Sequence, residues 1–108
     1  FTNSEVGGTS TFYHKKTLYD PMLASAIQKN LLKQTELNDR RTNESNFYVV
    51  KNTKMPAVLI ELAFISNPKE ENLLNSTKFQ GKVSDGIITG LKEFFESASK
   101  IRGEKNAK

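Results

Sequence analysis

The stretch MPAVLIELAFISNP, residues 55–68, decides how this chain folds. Between Ala57 and Ile65 every residue is apolar except Glu61. A short, continuous apolar run is typical of a strand that is buried on both faces, as in a parallel sheet. Because removing a carboxylate from water without a partner is expensive, Glu61 needs a cation, a metal, hydrogen-bond donors or a catalytic task.

Glu61 lies in the second half of the predicted strand 57–65. Strand alternation places its side chain on the face of Leu59 and away from Ile60 and Leu62. Ligands of α/β sheets gather at the carboxyl ends of strands. The residues alone leave two hypotheses open. Glu61 is either a catalytic or metal-contacting carboxylate, or a structural one that is paired with an arginine or with a capping backbone group.

Three segments have the periodicity or the boundary residues of helices. The segment 19–37 repeats large aliphatic residues at four-residue spacing, with Asp20 as its cap. Pro68 begins a predicted short helix within 66–75. A long amphipathic helix is predicted over 77–99, where three glycines each cost about 1 kcal/mol against alanine and packing must offset them. Its apolar stripe comprises Phe79, Val83, Ile87, Leu91, Phe95 and Ala98.

Further strands complete a layered architecture. The β-rich segments TSTFYHK (9–15) and FYVVK (47–51) are predicted as strands, and NDRRTNESN (38–46) is predicted as a polar loop. This order of elements predicts an α/β structure in which helices cover a sheet. Three strands make a thin sheet, and the buried strand 57–65 needs neighbours on both sides, which an upstream part would supply.

Length and composition bound the class of protein. The 108 residues are 36% hydrophobic and 26% charged, which suits one small globular domain or part of a larger one. The chain begins with Phe1 rather than methionine, so we expect it to be processed or cut from something longer. The last residues, 103–108, are predicted to be a flexible polar tail, because ordering them would bury little.

Charge and residue types exclude several functions. The net charge of +4 suits an anionic surface such as a cell wall, but the basic residues do not form a block, so no nucleic-acid partner is predicted. The absence of cysteine excludes disulfides and cysteine-ligated zinc. No apolar run is long enough to span a membrane. His14, the single histidine, is interpreted as exposed and structurally idle.

Two polar clusters leave alternatives open. Asp39, Arg40 and Arg41 follow the first predicted helix. They form either a solvated charge cluster or an anion clamp, because arginine binds carboxylates in a bidentate manner. Gly7 and Gly8 form either a turn or a cradle for an anion.

Taken in order, the motifs resemble the zinc-dependent N-acetylmuramoyl-L-alanine amidases of bacterial cell walls. The segments are GGTSTFYH (7–14), LASAIQKNLL (23–32), NDRR (38–41) and FYVVKNTKMPAVLIELAFISNPKEENLL (47–74). The resemblance covers residues 7–96 in the family's order. It implies a twisted mixed sheet with helices on both faces, incomplete here because upstream strands are missing. Residues 1–102 would then be the carboxyl-terminal portion of a catalytic domain.

The resemblance also implies a reaction. Such enzymes are peptidoglycan hydrolases, outside the cell or in its envelope, that cleave the amide between N-acetylmuramic acid and the L-alanine of the stem peptide. Zn²⁺ held by two histidines and a glutamate activates water, and a second glutamate assists. The family motif V-x-E-x-G-F aligns with residues 59–64, which makes Glu61 the catalytic candidate. Arg40 is the substrate-binding candidate.

The chain departs from the family at several points. The family's zinc ligands would lie upstream of Phe1, so no metal ligand is expected in this chain, and the upstream part of the same domain is an expected partner. Many members have glutamate at Ser10 and glycine at Arg41 and Ala63, and Arg41 adds bulk where a loop often needs a positive φ. The alternative function is an inactive relative that binds peptidoglycan or regulates a partner. An activating partner protein is compatible with either function, but the sequence does not identify one.

Overall fold

The computed structural model describes residues 7–62 and 68–103. In chain order its elements are β1 (Thr9–Tyr13), α1 (Tyr19–Thr35), β2 (Asp39–Glu44), α2 (Tyr48–Lys51), β3 (Leu59–Glu61), α3 (Pro68–Leu74) and α4 (Thr77–Ile101). The predicted α/β class is confirmed. The end of the predicted strand 57–65 and nearly all of the predicted tail 103–108 lie outside the described residues.

The described strands form a mixed three-stranded sheet with β1 at its centre, in the order β2-β1-β3. β2 runs parallel to β1, whereas β3 runs antiparallel to it. The prediction that residues 57–62 are buried on both faces of a parallel strand is therefore wrong, since Leu59 and Glu61 are exposed. The physical reason is alternation. Within residues 57–62, the side chains that pack against the hydrophobic core beneath the helices are those of Val58, Ile60 and Leu62.

Two elements between α1 and β3 differ from the sequence prediction. The segment predicted as a loop, 38–46, contains strand β2, whose side chains are polar because most of them are exposed. The segment predicted as a strand, 47–51, contains the short helix α2, in which Val50 alone is buried. Lys16 Nζ donates to the Val50 carbonyl at 2.7 Å. This tertiary contact satisfies a helix-end acceptor and helps to override the β propensity of the sequence.

Helices α1 and α4 pack together and cover one side of the sheet. Leu23, Ile27 and Leu31 of α1 form the core with residues of α4, as their four-residue spacing predicts. Gly86 and Gly90 allow the close approach. A Cβ on Gly86 would lie 3.0 Å from the Asn30 carbonyl oxygen, and one on Gly90 would lie 2.9 Å from that of Ala26. Packing thus offsets these two glycines, as expected, whereas a Cβ on Gly81 would meet no atom of the described residues within 4 Å.

The predicted long helix is confirmed as α4, but its apolar stripe is only partly right. Ser76 Oγ accepts a hydrogen bond from Phe79 N at 3.2 Å and caps the helix. At the other end Phe94 is buried, whereas Leu91 is 36% and Phe95 62% exposed. Steps of four residues drift around a helix of 3.6 residues per turn, so the predicted stripe is exposed at Leu91 and Phe95 and returns to the core at Ala98, which follows by a step of three.

Asp20 does not cap α1 as predicted, since the helix begins one residue earlier, at Tyr19. Asp20 is fully buried instead, and its carboxylate accepts hydrogen bonds from Lys16 Nζ at 2.8 Å, Thr17 N at 3.0 Å and Ala57 N at 3.2 Å. It therefore joins the start of α1 to the segment that leads into β3. Burial raises the pKa of Asp20, but these hydrogen bonds and the Lys16 charge outweigh it and hold the pKa below its usual value.

None of the helices in the described residues is both long and apolar enough to cross a membrane.

Candidate active site

Glu61 lies on the face of the sheet that α1 and α4 do not cover. Ser10 of β1 is its direct partner across the antiparallel pair, and Phe12 is the partner of Leu59. Opposed residues project to the same side of a sheet. We call this side the outer face, carrying Ser10, Phe12, Leu59 and Glu61, and the opposite side the inner face, carrying Thr9, Thr11 and Ile60.

The Glu61 carboxylate is exposed, and within residues 7–62 and 68–103 it has no hydrogen-bond or ion-pair partner. An exposed carboxylate avoids the desolvation cost that a buried one would meet. The hypothesis of a structural carboxylate held by an arginine therefore finds no support among the described residues. Glu61 is instead placed where its oxygens are accessible for chemistry.

Arg40 shares the outer face with Glu61. A Cβ built on Gly8 would lie 2.9 Å from Arg40 Cγ, so the stem of Arg40 passes over Gly8. Arg40 follows Asp39, the cross-strand partner of the inner-face residue Thr9, and successive side chains of a strand project to opposite faces. Arg40 and Glu61 flank β1 from its two neighbouring strands, which separates their backbones by roughly 10 Å at the usual strand spacing. The structure thus brings the two predicted site residues to one surface.

A register shift in β2 shapes the surface around Arg40. Thr9 pairs with Asp39 and Thr11 with Thr42, so both Arg40 and Arg41 lie opposite Ser10. Arg41 has φ +70°, a left-handed conformation that favours glycine. Its N–H donates to Asp39 Oδ1 at 2.8 Å. The prediction of a positive φ at this position is confirmed, and Arg41 adopts it although it carries a side chain.

Hydrogen bonds fasten this shifted segment to its neighbours. Ser10 Oγ donates to the Arg41 carbonyl at 2.7 Å and accepts from Asn43 Nδ2 at 2.8 Å. On the inner face, Gln28 Nε2 donates to Asp39 Oδ1 at 2.9 Å. The Gln28 hydrogen bond is the main cause that lowers the pKa of Asp39, with Arg41 adding to it. Asp39 is therefore a structural anchor of the segment that presents Arg40.

Glu70, in the first turn of α3, is a neighbour of the site that was not among the predicted site residues. It is buried, and its Oε1 accepts a hydrogen bond from Gly8 N at 3.0 Å. A Cβ on Gly7 would collide with the Glu70 carboxylate. The glycine pair thus holds an anion, as one of the two hypotheses proposed, but that anion belongs to the same chain. In the sequence, the signals for this contact are the acidic residue two positions after Pro68 and the glycine pair.

Apolar side chains border Glu61 on the outer face. Phe12 and Phe47 meet edge to face with ring centroids 5.3 Å apart. Leu59, the cross-strand partner of Phe12, is 39% exposed, and Phe47 is 46% exposed. The candidate site therefore combines a carboxylate, a cation and an apolar border.

His14 follows the end of β1. It is half-buried, and its Nδ1 lies 2.9 Å from the Ser45 carbonyl oxygen, a distance at which a protonated Nδ1 donates a hydrogen bond. The prediction of an exposed and idle histidine is wrong, because the ring links the end of β1 to the segment after β2. In the parts of the chain that the structure describes, no three His, Cys, Asp or Glu side chains come together to hold a metal.

The sequence matches one family over most of its length. The profile of the N-acetylmuramoyl-L-alanine amidase family matches residues 1–93. Among curated proteins, LytH of Staphylococcus epidermidis, named a probable cell wall amidase, is 37% identical over 98 residues. That match covers 88% of this chain and 32% of LytH.

Solved amidase structures share the fold. The catalytic domain of CwlV, an N-acetylmuramoyl-L-alanine amidase from Bacillus (Paenibacillus) polymyxa var. colistinus, matches with a TM-score of 0.81 and 35% identity, over 89% of this chain and 52% of that one. The CwlD amidase from Clostridioides difficile, solved in complex with the GerS lipoprotein, matches with a TM-score of 0.83 and 31% identity, over 90% and 50%. This chain spans about half the length of each.

Proposed function

Because the chain belongs to the N-acetylmuramoyl-L-alanine amidase family, we propose that the full-length protein is a peptidoglycan hydrolase of the cell envelope. It cleaves the amide between N-acetylmuramic acid and the L-alanine of the stem peptide. The observation that carries the proposal is the Glu61 carboxylate, exposed and without a partner among the described residues, at the position where the resemblance puts the family's catalytic glutamate.

Glu61 acts as the proton-transfer group. Amide hydrolysis needs a base to take a proton from the attacking water and an acid to protonate the leaving nitrogen. One carboxylate can perform both steps in turn. Its position at the end of β3, beside the apolar border of Phe12 and Leu59, lets the scissile amide approach the carboxylate from the outer face.

Arg40 acts as the substrate-binding cation. Guanidinium groups bind carboxylates through paired, charge-assisted hydrogen bonds. Stem peptides carry carboxylates, and the separation of roughly 10 Å between the backbones of Arg40 and Glu61 leaves room for a short peptide segment between the two. Arg40→Gln should therefore raise KM for peptidoglycan fragments more than it lowers kcat.

Zinc is part of the proposal for the full-length protein only. The described residues do not fit a zinc site, since they bring no ligand set together. Zn²⁺ would supply water activation and carbonyl polarisation, and its ligands would come from outside this chain. Metal analysis of the purified full-length protein tests this, and a protein that is active without bound metal would contradict it.

The alternative is an inactive relative that binds peptidoglycan or regulates a partner enzyme. Because CwlD was solved in complex with a lipoprotein, both proposals include a protein partner for this protein. Binding of purified peptidoglycan without release of stem peptides would favour the inactive relative.

The decisive experiment is Glu61→Gln in the full-length protein. Glutamine keeps the size of the side chain but cannot accept the proton, so release of stem peptides from purified peptidoglycan should fall by roughly 10²–10⁴. Folding and zinc content, measured on the same sample, should remain. The matched control is Glu96→Gln, the same change on an exposed residue of α4, which should leave activity unchanged.

Three other outcomes would change the assignment. Near-normal hydrolysis by Glu61→Gln would refute the catalytic role. Loss of zinc together with activity would make Glu61 a metal ligand. Unfolding would return Glu61 to a structural role.

A further inference from the structure

Thr9 is the residue that fastens Glu61 to the centre of the sheet. It is fully buried on the inner face, and its hydroxyl donates a hydrogen bond to the Glu61 carbonyl oxygen at 3.0 Å. The cross-strand pairs of β1 and β3 end at Ser10 and Glu61. The Thr9 side chain therefore makes its bond at the point where the backbone pairing stops.

The backbone of Thr9 is hydrogen-bonded as well. Its N–H donates to the Asn38 carbonyl at 2.9 Å, and its carbonyl accepts from Gln28 Nε2 at 2.8 Å. Each of its three polar groups is thus used, and none faces water, since the exposed fraction of Thr9 is 0%. A hydroxyl whose own backbone is fixed at both ends can define the position of its acceptor more closely than a mobile one.

Gln28 connects this contact to the other half of the site. The same Nε2 donates to Asp39 Oδ1, and Asp39 Oδ1 accepts the Arg41 N–H beside Arg40. The Glu61 backbone and the segment that presents Arg40 are therefore bonded to one buried network. Any displacement of Thr9 would change the position of Glu61 relative to Arg40.

We propose that Thr9 is a positioning residue for the amidase reaction, which sets the Glu61 carboxylate through the hydroxyl bond to the Glu61 carbonyl. The proposal rests on the proposed function. Small misplacements of a catalytic group reduce the rate of the chemical step strongly, while binding of the substrate elsewhere is retained. Loss of the Thr9 hydroxyl should therefore lower kcat and leave KM nearly unchanged.

The test compares Thr9→Val and Thr9→Ser in the full-length protein, with stem-peptide release measured well below the unfolding temperature. Valine keeps the shape of threonine and replaces its hydroxyl by a methyl group, so kcat should fall on the order of 10-fold, with KM within about twofold. Serine keeps the hydroxyl and should restore kcat to within about threefold of the parent. If Thr9→Val does not fold, Thr9→Ala replaces it in the same comparison.

Thr35→Val is the matched control. The Thr35 hydroxyl also donates to a backbone carbonyl, that of Leu31 at 2.7 Å, but it lies at the end of α1 and outside the network of Thr9, Gln28 and Asp39. Thr35→Val should therefore leave kcat at the parent value. Equal kcat for Thr9→Val and the parent would overturn the inference, and so would an equal loss of kcat in Thr35→Val.

The two proposals fail in different ways. If Glu61→Gln keeps near-normal activity, the proposed function fails. If Glu61→Gln is inactive while Thr9→Val has the kcat of the parent, the positioning role alone is wrong.

Discussion

The inner and outer faces of the sheet are built from alternate residues of the same three strands, yet the side chains of β3 differ in exposure between the two faces. On β3, Ile60 packs into the core beneath the helices, while its neighbours Leu59 and Glu61 are exposed. On the inner face, Thr9 and Thr11 have their hydroxyls paired and buried. We therefore expect changes to the outer face to appear in activity and changes to the inner face to appear in stability, with Thr9 as the exception because its hydroxyl bonds the Glu61 carbonyl.

The largest expected effect tests the inner side of this comparison. Ile27 of α1 is 2% exposed in the core. Ile27→Ala should lower the free energy of unfolding by about 2–5 kcal/mol, because it removes buried methyl groups and leaves a cavity. Urea unfolding of the full-length protein, followed by circular dichroism, measures the loss.

Leu59→Ala is the outer-face counterpart. Leu59 is 39% exposed, so the same kind of truncation should cost less than about 1 kcal/mol. If both variants lose the same stability, the outer face is a core surface in the full-length protein and the division between the faces is wrong.

A smaller effect, which should depend on pH, is expected from Asp20, the buried carboxylate in the first turn of α1. The pKa of Asp20 is lowered in the folded state from its ordinary value of 3.8, so its contribution is complete above that value and is lost as the pH falls through the lower folded pKa. Asp20→Asn should therefore be less stable by about 1–3 kcal/mol at pH 7. The gap should narrow below about pH 4. Urea midpoints of both proteins at pH 7, 5 and 3 measure this gap, and a constant difference would contradict it.

The smallest effect concerns the register shift that shapes the edge of the site. Arg41→Gly and Arg41→Ala both remove the guanidinium, but glycine alone relieves the left-handed φ of +70°. The glycine variant should be the more stable of the two by about 1 kcal/mol, with the greater flexibility of its unfolded chain reducing the difference. Thermal midpoints of the pair provide the measurement. A more stable alanine variant would show that the backbone relaxes out of this conformation.

The sequence predicted the helical layer better than the sheet. The four-residue spacing of Leu23, Ile27 and Leu31 predicts α1, because one face of that helix is buried and the other is not. β2 has no such signal, since Asp39–Glu44 is polar and mostly exposed, and its pairing with β1 depends on backbone bonds and on the hydrogen bonds of Ser10 rather than on apolar burial. The β-rich segment 47–51 contains a helix instead, and the hydrogen bond from the distant Lys16 to the Val50 carbonyl helps to stabilise it. Local composition does not predict contacts between residues that lie so far apart in the sequence.

The candidate site shows the same limit. The isolated carboxylate in an apolar run identified Glu61, and the charged cluster identified Arg40. Their placement on one face depends on strand order, which the sequence did not predict. The contact of Glu70 with Gly8 and the network of Thr9 with Gln28 join residues that are 19 or more positions apart in the sequence.

The contact of α4 with α1 has a consequence for how freely this sequence can vary. Gly86 and Gly90 lie four positions apart and both meet backbone atoms of α1 within 3.0 Å of an added Cβ. Sliding α4 by one residue, about 1.5 Å along its axis, would begin to bring side chains into that space. The two helices are therefore fixed in their axial alignment by the absence of two side chains. Substitution by a larger residue should therefore be tolerated at Gly81 but not at Gly86 or Gly90, although all three glycines belong to the same helix.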